Sequence, residues 1–336
     1  MPDETPLEND KARLRSSLAT FLDRLPLRPQ LLALGEPNHD VDAFPAQRNL
    51  LFSLLAEEHG FRSIALESDV VAGLRVNAHV TSGEGTTDEV MGTGFSHGFG
   101  ARPANRALVA WMRSFNAGRE PADQLRFYGF DAPLENLWAA SPRQSLLALH
   151  TFLTRHLGPL PVSAAELERL CGDDERWTDP AAALDPSKSI GDSSEARRLQ
   201  RLIDGLVSRL ETETPYLVSQ SGFWEAQLHA RTAAGLLRYH AVIAGPVPLQ
   251  LRVTRMLALR DLMMADNLSA IAEREAPRGP TLVFAHDTHM HRQPSTMTMR
   301  GLKLEWWGAG AHMDVRLGQR YAYMPSDWKT QQRPPH

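Results

Sequence analysis

The sequence predicts an α/β protein: a mostly parallel sheet flanked by helices, with a large helical insertion over the cleft at the carboxyl ends of the strands. Three observations predict it. Short apolar runs alternate with stretches of helical spacing over residues 29–140, the pattern of parallel strands joined by crossover helices. Residues 141–276 are almost wholly of helical pattern. An apolar run then returns at Thr281-Leu282-Val283-Phe284-Ala285, so the helical block interrupts a sheet rather than following one.

Each element has its own local reason. Leu31-Leu32-Ala33-Leu34-Gly35 is a short apolar run ending in glycine and reads as a buried strand. From Ala43 to His59 the spacing is helical, with Leu50, Leu51, Leu54 and Leu55 on one face and Gly60 as its stop. Phe61 to Glu67 is the second strand, and Val70 to Val80 a helix. Thr81 to Thr87 reads as a turn region and Gly92 to Gly100 as a glycine-rich loop carrying His97. Pro103 opens a helix that runs to Asn116 before Gly118 ends it. Leu125 to Phe130 is the third strand, with Asp131 at its end. Helices are expected at Gln144–His156, Ala164–Cys171, Glu195–Thr212, Phe223–Ala244 and Arg252–Ala276, with an irregular segment marked by Pro180, Pro186 and Gly191. Thr281 to Ala285 is the fourth strand, followed by weaker strand candidates at Lys303–Trp307 and Tyr321–Met324.

The expected organisation is an N-terminal helix or arm (1–28), the first half of the core (29–140), a helical insertion or lid (141–276), the second half of the core (277–325) and a loose tail (326–336). Hydrophobic residues make up 42% and charged residues 23%, ordinary globular usage that excludes wholesale disorder. Lys and Arg number 36 against 40 Asp and Glu, so no basic excess exists to neutralise a phosphate backbone and nucleic acid is not the expected partner. No apolar run reaches the roughly 18 residues of a membrane helix. The single Cys171 cannot form an intrachain disulfide and reads as a packed small apolar residue, so the expected location is the cytoplasm.

One regularity points to function. The first strand ends in Gly35-Glu36-Pro37-Asn38-His39, the second in Glu67-Ser68-Asp69, the third in Asp131 and the fourth in His286-Asp287-Thr288-His289. In a parallel sheet all carboxyl ends open on one edge, where ligands bind. A single strand-end acid commonly caps the next helix, but four strands delivering carboxylates and imidazoles to one edge make a cleft for proton transfer. A histidine paired with a carboxylate is held in one tautomer and gains basicity, so it deprotonates water near neutral pH. Glu36 and His39 are placed to pair directly or through Glu67, and Arg48, in the first turns of the next helix, to aim a fixed charge at a carboxylate or a developing oxyanion. Arg260, Met264 and Asn267 fall near one face of a helix, where an amphipathic helix packed on the sheet accounts for Met264 by itself.

These residues, in order, resemble the erythromycin esterase family: Gly35 to His39, Arg48, Gly60 to Glu67, Gly94 to Gly100, Asn105-Arg106, Tyr128 to Asp131, Arg260 to Asn267 and His286 to His289. The resemblance spans Leu31 to Met324. It implies an α/β core with a helical part over the cleft, and hydrolysis of the macrolactone ester of erythromycin-type antibiotics. It also implies a metal-independent reaction in which a histidine activates water and no acyl-enzyme forms. The expected catalytic residues are His39, Glu67, Glu36 and His286. The expected substrate-binding residues are Arg48, His97, Asp131, Arg260 and His289. In that mechanism Arg48, Arg260 or His286 stabilises the oxyanion and His286 or His289 protonates the leaving alkoxide. Two residues depart from the family pattern, Asp40 and Asp287, and both add negative charge.

Three rival readings exist. Gly94-Phe95-Ser96-His97-Gly98 fits G-x-S-x-G, and Ser96, Asp131 and His286 follow the chain order of an α/β-hydrolase triad. No strand is expected before Gly94, which such an elbow requires. His286 and His289 with Glu36, His39 and Glu67 offer metal ligands, but the pair follows a strand and no H-E-x-x-H is present, so neither metal nor cofactor is expected. Trp138, Trp177, Trp224, Trp306 and Trp307 are numerous enough to line the pocket of a non-catalytic binder of large apolar ligands, against the commoner role of core and lid packing.

Overall fold

The computed structural model describes residues 6–326, and the proposed tail beyond Ser326 lies outside them. The first part of the chain forms α1 (Pro6–Asp23), β1 (Leu31–Glu36), α2 (Ala43–Glu58), β2 (Ser63–Asp69), α3 (Gly73–Ser82), α4 (Thr87–Thr93), α5 (Pro103–Asn116) and β3 (Arg126–Asp131). A two-residue ribbon, β4 (Leu134–Glu135) and β5 (Trp138–Ala139), leads to α6 (Arg143–Leu157), α7 (Ala164–Cys171), α8 (Ser194–Thr212), α9 (Thr214–Leu217), α10 (Phe223–Ile243) and α11 (Leu249–Glu275). The chain returns as β6 (Thr281–His286), α12 (Asp287–Met290), β7 (Pro294–Met299), β8 (Leu302–Trp307), α13 (Ala309–Leu317) and β9 (Tyr321–Met324).

Five strands make one sheet in the order β3-β2-β6-β1-β9, every pair parallel. The period-2 alternation of each strand explains how both faces are covered. Leu32, Leu34, Ile64, Leu66, Phe127, Leu282 and Phe284 face one way, against leucines and Phe52 of α2, Val76 of α3 and Leu108 of α5. Leu31, Ala33, Ala65, Tyr128, Phe130, Val283 and Ala285 face the other, against Met264, Leu268 and Ile271 of α11 and Met313 of α13. Each fully buried Leu or Phe contributes about 1.5–3 kcal/mol over exposure, which makes this two-faced layer the main source of stability.

The packing divides the 141–276 segment. Helices α6, α7, α8 and α10 share a core of their own that holds Leu149, Leu167, Cys171, Trp177, Leu199 and Leu237. Helix α11 instead lays its second half on the sheet, while its first half packs on β8 through Val253, Leu257, Leu304 and Trp306. The Lys303–Trp307 candidate strand is β8, paired antiparallel with β7 in a separate hairpin and not in the sheet. Helix α4 forms in the stretch between the expected turn (Thr81 to Thr87) and the expected glycine-rich loop (Gly92 to Gly100), because Thr86 and Glu89 make a capping box at its start. Among the described residues no helix is long and apolar enough to cross a membrane.

Chain topology makes the cleft. β1 and β2 are consecutive in the sequence, but β6 lies between them, so the strand order reverses at β6. Ligand crevices form outside the carboxyl ends at such a reversal. The β1–β6 register sets Glu36 beside His286, and a shift in the β2–β3 register after Leu66 carries the end of β2 out of regular pairing. Gly35 has a packing reason to be glycine: a Cβ there would come within 1.7 Å of the Asp287 carboxylate.

Candidate active site

Glu36 ends β1 with its side chain buried, and its Oε1 lies 2.6 Å from His39 Nδ1. The carboxylate accepts, so Nδ1 carries the proton and Nε2 is left with a lone pair. Nε2 lies 3.7 Å from Glu67 Oε2. Burial alone lowers the His39 pKa; the Glu36 hydrogen bond and the charges of Glu67 and Glu36 outweigh it, and the pKa stands above its ordinary 6.5. Glu36 Oε2 has no protein donor. Glu36 lines a cavity of about 20 Å³ together with His39, Arg48, Glu67, Asn105 and Phe284, room for one water.

Glu67 is the hub. Its Oε2 accepts the His286 backbone N–H at 2.8 Å, and its Oε1 accepts from Arg260 Nη2 at 3.3 Å and lies 3.3 Å from His289 Nε2. Burial would raise its pKa, but the charges of His289 and Arg260 hold it well below the carboxylate range. Arg260 grips Asp131 with a fork, Nε to Oδ1 at 3.2 Å and Nη2 to Oδ2 at 2.6 Å. Both Arg260 and Asp131 are held ionised by this contact against the cost of burial.

His97 comes in from the loop after α4. Its Nε2 meets Asp131 Oδ2 at 3.1 Å, and Glu135 of the β4–β5 ribbon takes both its backbone N–H at 2.7 Å and its Nδ1 at 3.0 Å. The residue sits at φ +57°, a left-handed conformation that a histidine adopts at a cost, and the Glu135 carboxylate holds it there. Burial lowers its pKa, but the Asp131 bond outweighs it and leaves His97 raised. His289, 6% exposed, sets Nδ1 2.8 Å from Asp261 Oδ1, and Asp261 and Glu67 together overcome burial to push its pKa up to about 10.

Two expected residues are used differently. His286 accepts from Thr288 N–H at Nδ1 and donates from Nε2 to the Pro37 carbonyl at 3.1 Å, so neither nitrogen is free toward the cleft. Burial lowers its pKa, which keeps it neutral at pH 7. Arg48 is 1% exposed, donates to Asn49 Oδ1 and Asn105 Oδ1, and lies 4.9 Å over the Phe284 ring. It stands behind Glu36 as a buried cation, its pKa lowered by burial to about 9. The two departures from the family pattern are peripheral: Asp40 pairs with Arg102 at the surface, and Asp287 accepts from Tyr323 and Ser326.

The Ser96 triad is not assembled. The Ser96 hydroxyl accepts from Asp69 N–H at 2.9 Å and lies 3.3 Å from Ser68 Oγ, and Asp131 is committed to Arg260 and His97. A helix, not a strand, precedes Gly94. Among the described residues no group of three or more His, Cys, Asp or Glu is arranged to hold a metal ion. The tryptophans are dispersed: Trp177 donates to the Cys171 carbonyl in the helical core, Trp224 stacks on Arg274, Trp306 is buried and Trp307 exposed. Sequence reasoning missed Glu135 and Asp261. Asp261 adjoins Arg260 inside the Arg260 to Asn267 segment that carries the family resemblance, and that was the available signal.

Fold and site together define a class: α/β proteins with a histidine–carboxylate network at the carboxyl edge of a parallel sheet, beside a helical insertion. Within that class the chain belongs to the erythromycin esterase family, whose model matches residues 56–325. It is 22% identical over 267 residues to an erythromycin esterase type II of Escherichia coli, an alignment covering 79% of this chain and 61% of that protein, so the chain spans less than two thirds of that relative's length. Among solved structures it resembles a Bacillus cereus protein, with TM-score 0.66, 17% identity, and coverage of 93% of this chain and 74% of that one. It resembles a succinoglycan biosynthesis protein with TM-score 0.62, 20% identity, and coverage of 95% and 69%. A mutant of the erythromycin esterase EreC in its open conformation gives TM-score 0.65, 19% identity, and coverage of 93% and 74%.

Proposed function

We propose that this protein hydrolyses a carboxylic ester with a histidine-activated water, and that the ester is a macrolide lactone of the erythromycin type. The observation that carries the reading is the 2.6 Å Glu36–His39 bond, which leaves the His39 Nε2 lone pair facing Glu67. In this reading His39 takes a proton from water, with Glu36 fixing its tautomer, and the hydroxide attacks the lactone carbonyl. Arg260 supplies positive charge to the oxyanion, and His289, protonated at neutral pH, gives its Nε2 proton to the leaving alkoxide. Glu67 orients both sides of the reaction. His97 and Asp131 form the substrate-binding wall, Arg48 compensates Glu36 from behind, and His286 positions the Pro37 turn. The same reading requires no metal.

The test is incubation with macrolides of different ring size and with simple open-chain esters, read by mass spectrometry. The expected result is a macrolide heavier by one water. Macrolide recovered bound but unchanged in mass would mean a binding protein, and turnover of open-chain esters alone would remove the macrolide from the reading.

A further inference from the structure

We propose that Asp261 is the positioning residue of His289: it fixes the orientation and protonation of that ring and so supplies the acid of the reaction. This rests on the ester-hydrolysis reading above. Asp261 lies in α11 and is wholly buried. Its Oδ1 accepts from His289 Nδ1 at 2.8 Å and from the Ala309 backbone N–H at 2.8 Å, and its Oδ2 accepts from Trp306 Nε1 at 2.7 Å. Indole and peptide N–H groups donate and never accept. Both oxygens of Asp261 are thus held as acceptors by groups from β8 and the first turn of α13.

His289 therefore donates from Nδ1. Its Nε2 faces Glu67 Oε1, an oxygen that already accepts from Arg260. An imidazole that donates at both nitrogens is an imidazolium. The charged groups around it agree. Asp261 on α11 and Glu67 on β2 favour the cation, burial opposes it, and His39 and His286 carry any charge of the same sign. Arg260 lies beside the same Glu67 oxygen, and the Asp261 charge also acts on His312 of α13. The two carboxylates prevail.

The geometry divides the labour between two His–carboxylate pairs that meet at Glu67. Glu36 prepares His39 to take a proton, and Asp261 prepares His289 to give one. The proton that His289 delivers becomes the hydroxyl hydrogen of the released alcohol, and the proton that His39 took from water restores His289 through solvent at the end of the turnover.

The first measurement needs no substrate. Nitrogen-15 histidine spectra of the protein, with His289→Gln as the subtraction that assigns the signal, should show His289 as an imidazolium at about pH 8, where an ordinary histidine is neutral. In Asp261→Asn the same signal should become neutral by that pH. A neutral His289 in the unaltered protein, or a charged one in Asp261→Asn, would overturn the assignment, and the first of these stands even where the variant does not fold. On an accepted ester, Asp261→Asn should lose about a hundredfold in kcat with KM little changed, and the high-pH limb of its pH–rate profile should move to lower pH. A loss uniform across pH would mark Asp261 as a packing residue only. Absence of any ester turnover with the spectra as expected would sink the hydrolysis reading and leave the His289–Asp261 pairing standing.

Discussion

Removing the cation of Arg260 should destabilise the protein in a pH-dependent way whose sign follows from the site. In Arg260→Met the side-chain bulk is largely kept, but Asp131 loses its fork and Glu67 one of its donors. Breaking a buried ion pair from one side typically costs about 3–5 kcal/mol. Asp131 keeps His97 and Glu67 keeps His289 as partners, so the lower end, about 3 kcal/mol, is expected at pH 7. In the unaltered protein both carboxylates have lowered pKa values, so their contribution is present above the unfolded carboxylate range and lost only as pH falls through the folded values. That contribution is flat between pH 7 and pH 5. Without Arg260 both carboxylates shift up, and the variant regains stability as they bind protons. His97, relieved of the Arg260 charge, protonates more readily and acts in the same direction. The gap between the two proteins, measured by urea unfolding at both pH values, should therefore narrow at pH 5. A gap below about 1 kcal/mol at pH 7, the scale of an exposed pair, or one equal at both pH values, would refute the reasoning.

His39→Ala should fold normally by circular dichroism and lose about a hundred- to ten-thousandfold in turnover, with KM changing far less; near-normal turnover would remove His39 from the mechanism. The unaltered protein's rate should rise with pH through an apparent pKa above 6.5, since the raised His39 must lose its proton to act, and a rate that falls over that range would contradict it. Ser96→Ala should keep most of the turnover and fluorophosphonate probes should not label the protein, because the Ser96 hydroxyl bonds only to Ser68 and the Asp69 backbone. Turnover should survive exhaustive chelation, and loss with chelator that zinc or manganese reverses would require a metal in the scheme.

The sheet was legible because a buried parallel strand announces itself locally. Leu31 to Leu34 and Leu282 to Ala285 are apolar on both faces, and each such run ends where polar residues begin. The same rule exposed Glu36, Glu67, Asp131 and His286, since a parallel sheet sends all its carboxyl ends to one edge. What stayed hidden depends on contacts distant in sequence. Asp261 meets His289 and Trp306 across 28 and 45 positions, and no spacing rule connects them. Glu135 sits on a strand of two residues, too short to carry a period. Arg48 and His286 show the converse: residue type marked them as candidates, and only the structure shows that their donors are turned to Asn49, Asn105 and the Pro37 carbonyl. Helix α4 was recoverable in principle, since Thr86 to Glu89 is a capping-box sequence.

The proposal of His39 as base follows from comparing it with the other histidines and the ion-paired groups of the cleft. Glu67 and Asp131 have lowered pKa values, and Arg260 donates to both, which makes them poor bases. His289 donates at both nitrogens, and Arg260 is a permanent cation. His286 is neutral, yet its nitrogens are spent on Thr288 and Pro37. His97 has an acid at each nitrogen, Asp131 at Nε2 and Glu135 at Nδ1. His39 alone has one nitrogen fixed by a carboxylate within hydrogen-bond distance and the other 3.7 Å from its nearest acid, a gap that a water or a substrate oxygen must bridge. A group that takes a proton must have a free lone pair in reach of the donor, and among the histidines of this cleft the proposed base, His39 Nε2, meets that condition.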